Sequence, residues 1–131
     1  MSTHLLAPPI DLTRATALVE KGLPWGEIEF MAEALGVTLA EFAELLGVSQ
    51  PTLFRRRKQK RFTPDESDHV MRFARLWSMA LETFENEDGA RAWLKAPAVG
   101  LKGRIPLEVA KSETGAREVE SLLQRIDYGI A

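Results

Sequence analysis

Apolar residues recur along this chain at helical spacing. Ile28, Met31, Ala32 and Leu35 fall at i, i+3, i+4 and i+7, as do Leu39, Phe42, Ala43 and Leu46, and again Val119, Leu122, Leu123 and Ile126. Each set lines one face of an α-helix. The residues between the stripes supply stops and starts. Gly22 is expected to end a first short helix over 12–21, Gly36 a second, and Gly47 a third that Thr38 would cap. Ser49 then caps a fourth helix only two residues after Gly47, with Gln50-Pro51-Thr52 as a first turn in which the missing N–H of proline costs nothing. Thr63-Pro64-Asp65-Glu66 has the form of a capping box and predicts the longest helix. Along it Val70, Phe73, Ala74, Trp77, Leu81 and Phe84 make one stripe, with Leu76 and Met79 as additional apolar surface. A shorter helix is expected over about 88–95 with Asn86 near its start. Residues 96–106 hold two prolines and two glycines and read as loop. A helical turn follows Pro106, and a last helix covers about 115–126. No period-2 strand pattern occurs, so the fold class is all-α. Residues 1–10, with two consecutive prolines and no period, read as a flexible or loosely docked arm.

At 131 residues the chain fits one compact unit or two small helical ones sharing a core. It has no cysteine, which removes disulfides and thiolate metal sites and fits a reducing cytoplasm. The N-terminus lacks the order of a signal peptide, and no apolar run nears the roughly 20 residues of a membrane span, so a soluble protein is expected. The net charge of −2 argues against nucleic acid until its distribution is read. Residues 1–51 carry seven acids against two bases, and residues 62–131 twelve acids against nine bases, whereas residues 52–61 carry six bases and no acid. Local potential, not the whole-chain charge, governs phosphate binding.

That basic block lies on the helix begun by Ser49. The segment Thr38 to Arg57 (TLAEFAELLGVSQPTLFRRR) places two short helices around Gly-Val-Ser, where glycine accepts the left-handed backbone of a tight turn and small Ala43 permits close crossing. This is a helix-turn-helix pattern. Val48 and Leu53 should face inward with Phe42 and Leu46, leaving Gln50, Pro51, Phe54, Arg55 and Lys58 outward for a major groove. Gln50 suits the N6 and N7 of adenine, and Arg55 the O6 and N7 of guanine. Arg56, Arg57, Lys58, Lys60 and Arg61 are expected to grip phosphates, aided by the unpaired N–H groups at the helix start, and Ser49, Pro51 and Thr52 of that first turn are expected to touch the duplex as well. The bland alternative, a solvated basic face, is weakened by the capped helix-turn-helix around it. His4 and His69 read as ordinary residues rather than metal ligands, and Ser49 and Ser67 have no base beside them in the order of a catalytic triad. No catalytic constellation, cofactor motif or metal set is present, so the chain is not expected to be an enzyme. Trp25, Trp77 and Trp93 read as core residues. Leu76, Trp77 and Met79 together are the candidate dimer seam.

The segment GARAWLKAPAVGLKGRIPLEVAKSETGAREVESLLQRIDYGIA resembles the C-terminal domain of Xre-family antitoxins of the RES-Xre class of toxin-antitoxin systems (Xre/MbcA/ParS-like). GLPWGEIEFMAEALGVTLAEFAELLGVSQPTLFRRRK is similar to that family's helix-turn-helix half. The most specific marks are Trp93-Leu94 with Pro97, Gly103 with Pro106-Leu107, Glu113-Thr114-Gly115-Ala116, and Arg125-Ile126 with Tyr128-Gly129. Ala98 departs from the family's usual asparagine. The resemblance implies a DNA-binding domain over 1–62, a connecting or dimerisation helix over 63–85 and a toxin-binding domain over 86–131. It implies a cytoplasmic dimer that represses its own operon on double-stranded operator DNA and binds a RES-domain toxin, an NAD-consuming enzyme. It further implies that Arg125, Tyr128, Gly129, Ile130 and Ala131 reach toward the toxin's active-site cleft. A repressor of phage type without a toxin, and an interaction adaptor that no longer binds DNA, are the rival readings.

Overall fold

In the computed structural model, which describes residues 4–129, the chain is all-helical, and the described residues form no strand. Eight α-helices follow in order: α1 Leu12–Lys21, α2 Trp25–Leu35, α3 Leu39–Leu46, α4 Gln50–Gln59, α5 Pro64–Phe84, α6 Glu87–Lys95, α7 Pro106–Val109 and α8 Glu113–Asp127. The capping chemistry explains most of these limits. Asp11 accepts from the N–H groups of Thr13 and Arg14 at the start of α1. Thr38 and Glu41 form a reciprocal capping box on α3, and Thr63 and Glu66 do the same on α5. Asn86 and Ser112 accept from Gly89 N–H and Gly115 N–H to open α6 and α8. The last helix therefore begins two residues before the expected Gly115.

The chain divides into two compact units, and the division falls between Ala74 and Arg75, inside α5. In the first unit α2 packs on α3, and α3 on α4. Its core is built from the stripes expected of it: Ile28, Met31, Leu35, Phe42, Val70 and Phe73 are fully buried, with Phe42 and Phe73 edge to face at 5.8 Å. The N-terminal half of α5 is tied to this unit by polar contacts. Fully buried Ser67 accepts from Leu23 N–H and donates to the Thr63 carbonyl, both at 2.7 Å, and the His69 ring meets the Leu46 carbonyl at 3.1 Å.

The N-terminal arm differs from expectation. Leu6 is fully buried, and its N–H and the His4 ring both bond the carboxylate of Glu27, at 3.0 Å each. The His4 ring also stacks on Phe30. A buried leucine and a buried acid that needs partners hold residues 4–6 in place.

In the second unit α6 packs on α7 and α7 on α8. Residues 96–106 are mostly loop, as expected, but contain a 3-10 turn over Val99–Leu101 and an isolated bridge between Ala98 and Arg104. The apolar surface that Leu76 and Met79 add to the stripe of α5 is what made these residues, with Trp77, the candidate dimer seam. Instead Leu76 and Trp77 are 0% and 1% exposed. Neither has surface left for a dimer seam, and of the three residues assigned there only Met79 keeps partial exposure.

Candidate functional site

The turn between α3 and α4 is made by Gly47, at φ 74°, whose N–H closes onto the end of α3, with Val48 N–H bonding the Ala43 carbonyl at 2.8 Å. Ser49 restarts the chain as N-cap of α4, accepting from Thr52 N–H and donating to the Thr52 hydroxyl. Leu53 turns into the core, and Gln50, Pro51, Phe54, Arg55 and Lys58 are all exposed. Phe54 stands outward, with the Lys58 ammonium 4.8 Å above its ring. The Gln50 amide touches the Ala40 carbonyl at 3.4 Å, a long bond that leaves its oxygen free to accept. Arg57 and Lys60 are exposed on the flank beside Trp25 and Gly26.

The C-terminal end of α4 is fixed by the segment that follows it. Lys60, at φ 64°, ends the helix; its carbonyl accepts from Trp25 N–H, and Phe62 N–H bonds the Leu23 carbonyl, both at 3.0 Å. Gly22 makes this approach possible, because a Cβ there would lie 2.0 Å from the Phe62 carbonyl oxygen. Arg61 donates to the Gly22 carbonyl. Arg61 is therefore partly committed to this corner.

Arg56 departs most from its expected role as a phosphate ligand. Its Nε and Nη2 donate to the two carboxylate oxygens of Glu66 at 2.8 and 3.0 Å, and its Nη1 to Gln59. Burial pushes the Glu66 carboxyl up, but the Arg56 hydrogen bonds, the Thr63 cap and the cation's charge outweigh it and hold the carboxyl below the usual range. The same hydrogen bond raises the Arg56 guanidinium. Adjacent basic side chains on one helix thus have two destinies, and sequence spacing does not distinguish them.

A second feature belongs to the C-terminal unit. The 3-10 turn and the end of α8 enclose an open groove of about 660 Å³, walled by Trp93, Pro97, Val99, Leu122 and Ile126, with Arg125 on its edge. Gly100 lets the loop lie against α8, since a Cβ there would be 2.6 Å from a Leu122 methyl. Val99 is 97% exposed and Tyr128, just past α8, is 79% exposed. Arg125 and Tyr128 are thus on the surface, Gly129 follows at φ 72°, and the expected contacts Ile130 and Ala131 lie outside the described residues. The groove walls Trp93, Val99 and Ile126 were not singled out as partner contacts. Their signal was an apolar residue, Val99, inside a proline- and glycine-rich loop.

Two family models match the chain in tandem. An antitoxin Xre-like helix-turn-helix domain matches residues 14–75, and an antitoxin Xre/MbcA/ParS C-terminal toxin-binding domain matches residues 79–129. The chain is similar to a protein named antitoxin Xre from Yersinia enterocolitica, 33% identical over 126 residues, covering 92% of this chain and 85% of the relative. It is also similar to an antitoxin Xre from Photorhabdus laumondii, 30% identical over 116 residues, covering 87% and 78%. A third antitoxin Xre, from Pseudomonas putida, is 33% identical over 67 residues, covering 51% of this chain and 42% of the relative.

Proposed function

Because the chain belongs to the Xre family of antitoxins, with a helix-turn-helix domain and a toxin-binding domain, we propose that it neutralises a RES-domain, NAD-consuming toxin and represses its own operon. The observation that carries the proposal is that one chain presents an exposed cationic helix, α4, and an open apolar groove in the segment matched as toxin-binding. Each part suits a different partner.

For DNA, Gln50 and Arg55 read base edges from the outward face of α4, while Arg57, Lys58 and Lys60 neutralise phosphates. Two copies would occupy two operator half-sites, with a seam that does not use the buried Leu76 and Trp77. For the toxin, the groove takes an apolar segment, and Arg125, Tyr128 and the residues to Ala131 extend toward an anionic dinucleotide pocket. In this reading residues 1–62 bind DNA, 63–85 connect, and 86–131 bind toxin. The chain acts by binding and not by catalysis, and it works in the cytoplasm; none of its described helices is long and apolar enough to cross a membrane.

Co-expression with the product of the adjacent reading frame tests the pairing. The two are expected to co-elute in fixed ratio, and a chain cut before Arg125 is expected to keep DNA binding but to release growth arrest. Normal growth with the shortened chain would remove the tail from the mechanism. An adjacent product without toxicity would overturn the RES assignment.

A further inference from the structure

Glu66 serves two helices at once. Its Oε1 accepts from Thr63 N–H at 2.9 Å, closing the capping box of α5, while both of its oxygens hold the Arg56 guanidinium of α4. The two side chains are 15% and 16% exposed, so water competes weakly for the bonds. A two-pronged guanidinium-carboxylate pair fixes direction as well as distance, because both groups are planar. The start of α5 is itself anchored by Ser67 on Leu23 N–H and His69 on the Leu46 carbonyl. Arg56 is thereby tied to a fixed post.

At about 100° per residue, Gln50, Pro51, Phe54, Arg55 and Lys58 lie roughly 100–160° around α4 from Arg56. The direction in which Arg56 is pulled therefore sets the roll of the helix and the face it turns to solvent. We infer that Arg56 is a positioning residue for duplex binding: clasped by Glu66, it holds α4 at the roll that presents Gln50 and Arg55 to base edges, and it does not grip a phosphate. The inference rests on the DNA-binding reading above and adds a residue whose role is opposite to that of its basic neighbours.

The test uses the full chain and fluorescence anisotropy on two duplexes, one covering the DNA immediately upstream of its own reading frame and one scrambled from it. Arg56→Lys, Arg56→Gln, Glu66→Gln and the double Arg56→Gln/Glu66→Gln are compared over a salt series, at a temperature where circular dichroism shows every variant folded. Glutamine at 66 retains an oxygen for the Thr63 cap. Arg56→Lys and Glu66→Gln are each expected to lower the preference for the upstream duplex roughly tenfold, the scale of a lost hydrogen bond to a charged group. The log–log salt slope should stay at the wild-type value, and the double variant should be no worse than the worse single one. Wild-type binding by Arg56→Lys, with a slope shallower by about 0.9 in Arg56→Gln, would make Arg56 a phosphate ligand and overturn the inference. Equal losses on both duplexes would overturn it in favour of a purely structural pair. A wild-type protein indifferent to the two duplexes would instead refute the DNA-binding reading, and the positioning role with it.

Discussion

Gly115 is a helical residue for which alanine should be harmful. In an exposed helix interior the change from glycine to alanine gains about 1 kcal/mol of helix propensity. Here a Cβ would sit 1.8 Å from the Val109 carbonyl oxygen and 2.9 Å from its carbon, and 3.0 Å from the Ser112 hydroxyl that caps α8. The obstacle is backbone, which cannot swing aside as a side-chain tip can. Relieving it means moving α7 from α8 by more than an ångström, which places the cost at or above the upper end of the 1–3 kcal/mol typical of overpacking. Subtracting the propensity gain leaves about 2 kcal/mol of destabilisation. For a unit of this size that corresponds to a fall of about 10 °C in melting temperature. Scanning calorimetry of the full chain with Gly115→Ala checks the figure. Gly47→Ala is the contrasting case: nothing lies within 4 Å of its Cβ position, so only the left-handed backbone at φ 74° costs, about 1 kcal/mol. Gly115→Ala should lose toxin co-elution while keeping duplex binding, because the substitution lies in the C-terminal unit. A Gly115→Ala protein that melts with or above the wild type would refute the reasoning, since the propensity gain would then have met no steric opposition.

Gln50→Ala and Arg55→Ala are expected to lose about 1–3 kcal/mol on the upstream duplex with little change on random DNA, whereas Lys60→Ala should weaken both alike; gel shifts on the two duplexes separate these outcomes. The Glu66 carboxyl is held below the usual glutamate range of about 4.3, so its pairing contributes stability above that pH, and the contribution is lost as pH falls through the lowered value of the folded state. Acid melts of wild type and Glu66→Gln should accordingly be separated above the usual glutamate range and converge as pH falls through the lowered value of the folded state. Val99→Asp should abolish co-elution with the toxin and leave the melting temperature unchanged, since Val99 is 97% exposed and loses no packing; retained co-elution would take the toxin away from the groove.

Much of this protein is local chemistry that the sequence states outright. Thr38, Ser49, Thr63 and Asn86 announced helix starts because a cap is a bond across two or three residues, and Gly22, Gly36 and Gly47 announced stops because few other residues accept the backbone required there. Asp11 and Ser112 are caps of the same kind, and it is their bonds to Thr13 and Arg14 and to Gly115 that single them out. The outward face of α4 followed from its period, since Val48 and Leu53 had to turn inward once Phe42 and Leu46 did.

What tertiary structure decided were partnerships between residues far apart in the chain. The burial of Leu76 and Trp77 removed a seam that the pattern alone suggested, because periodicity reports which residues are apolar and not how much surface the rest of the chain will cover. Leu6 and His4 found Glu27 more than twenty positions away, and no local rule pairs an N-terminal arm with a helical acid. Arg55 and Arg56 are neighbours with the same side chain, yet one faces solvent and the other faces Glu66. A helix turns adjacent residues about 100° apart, and where each then points depends on the element packed beside it.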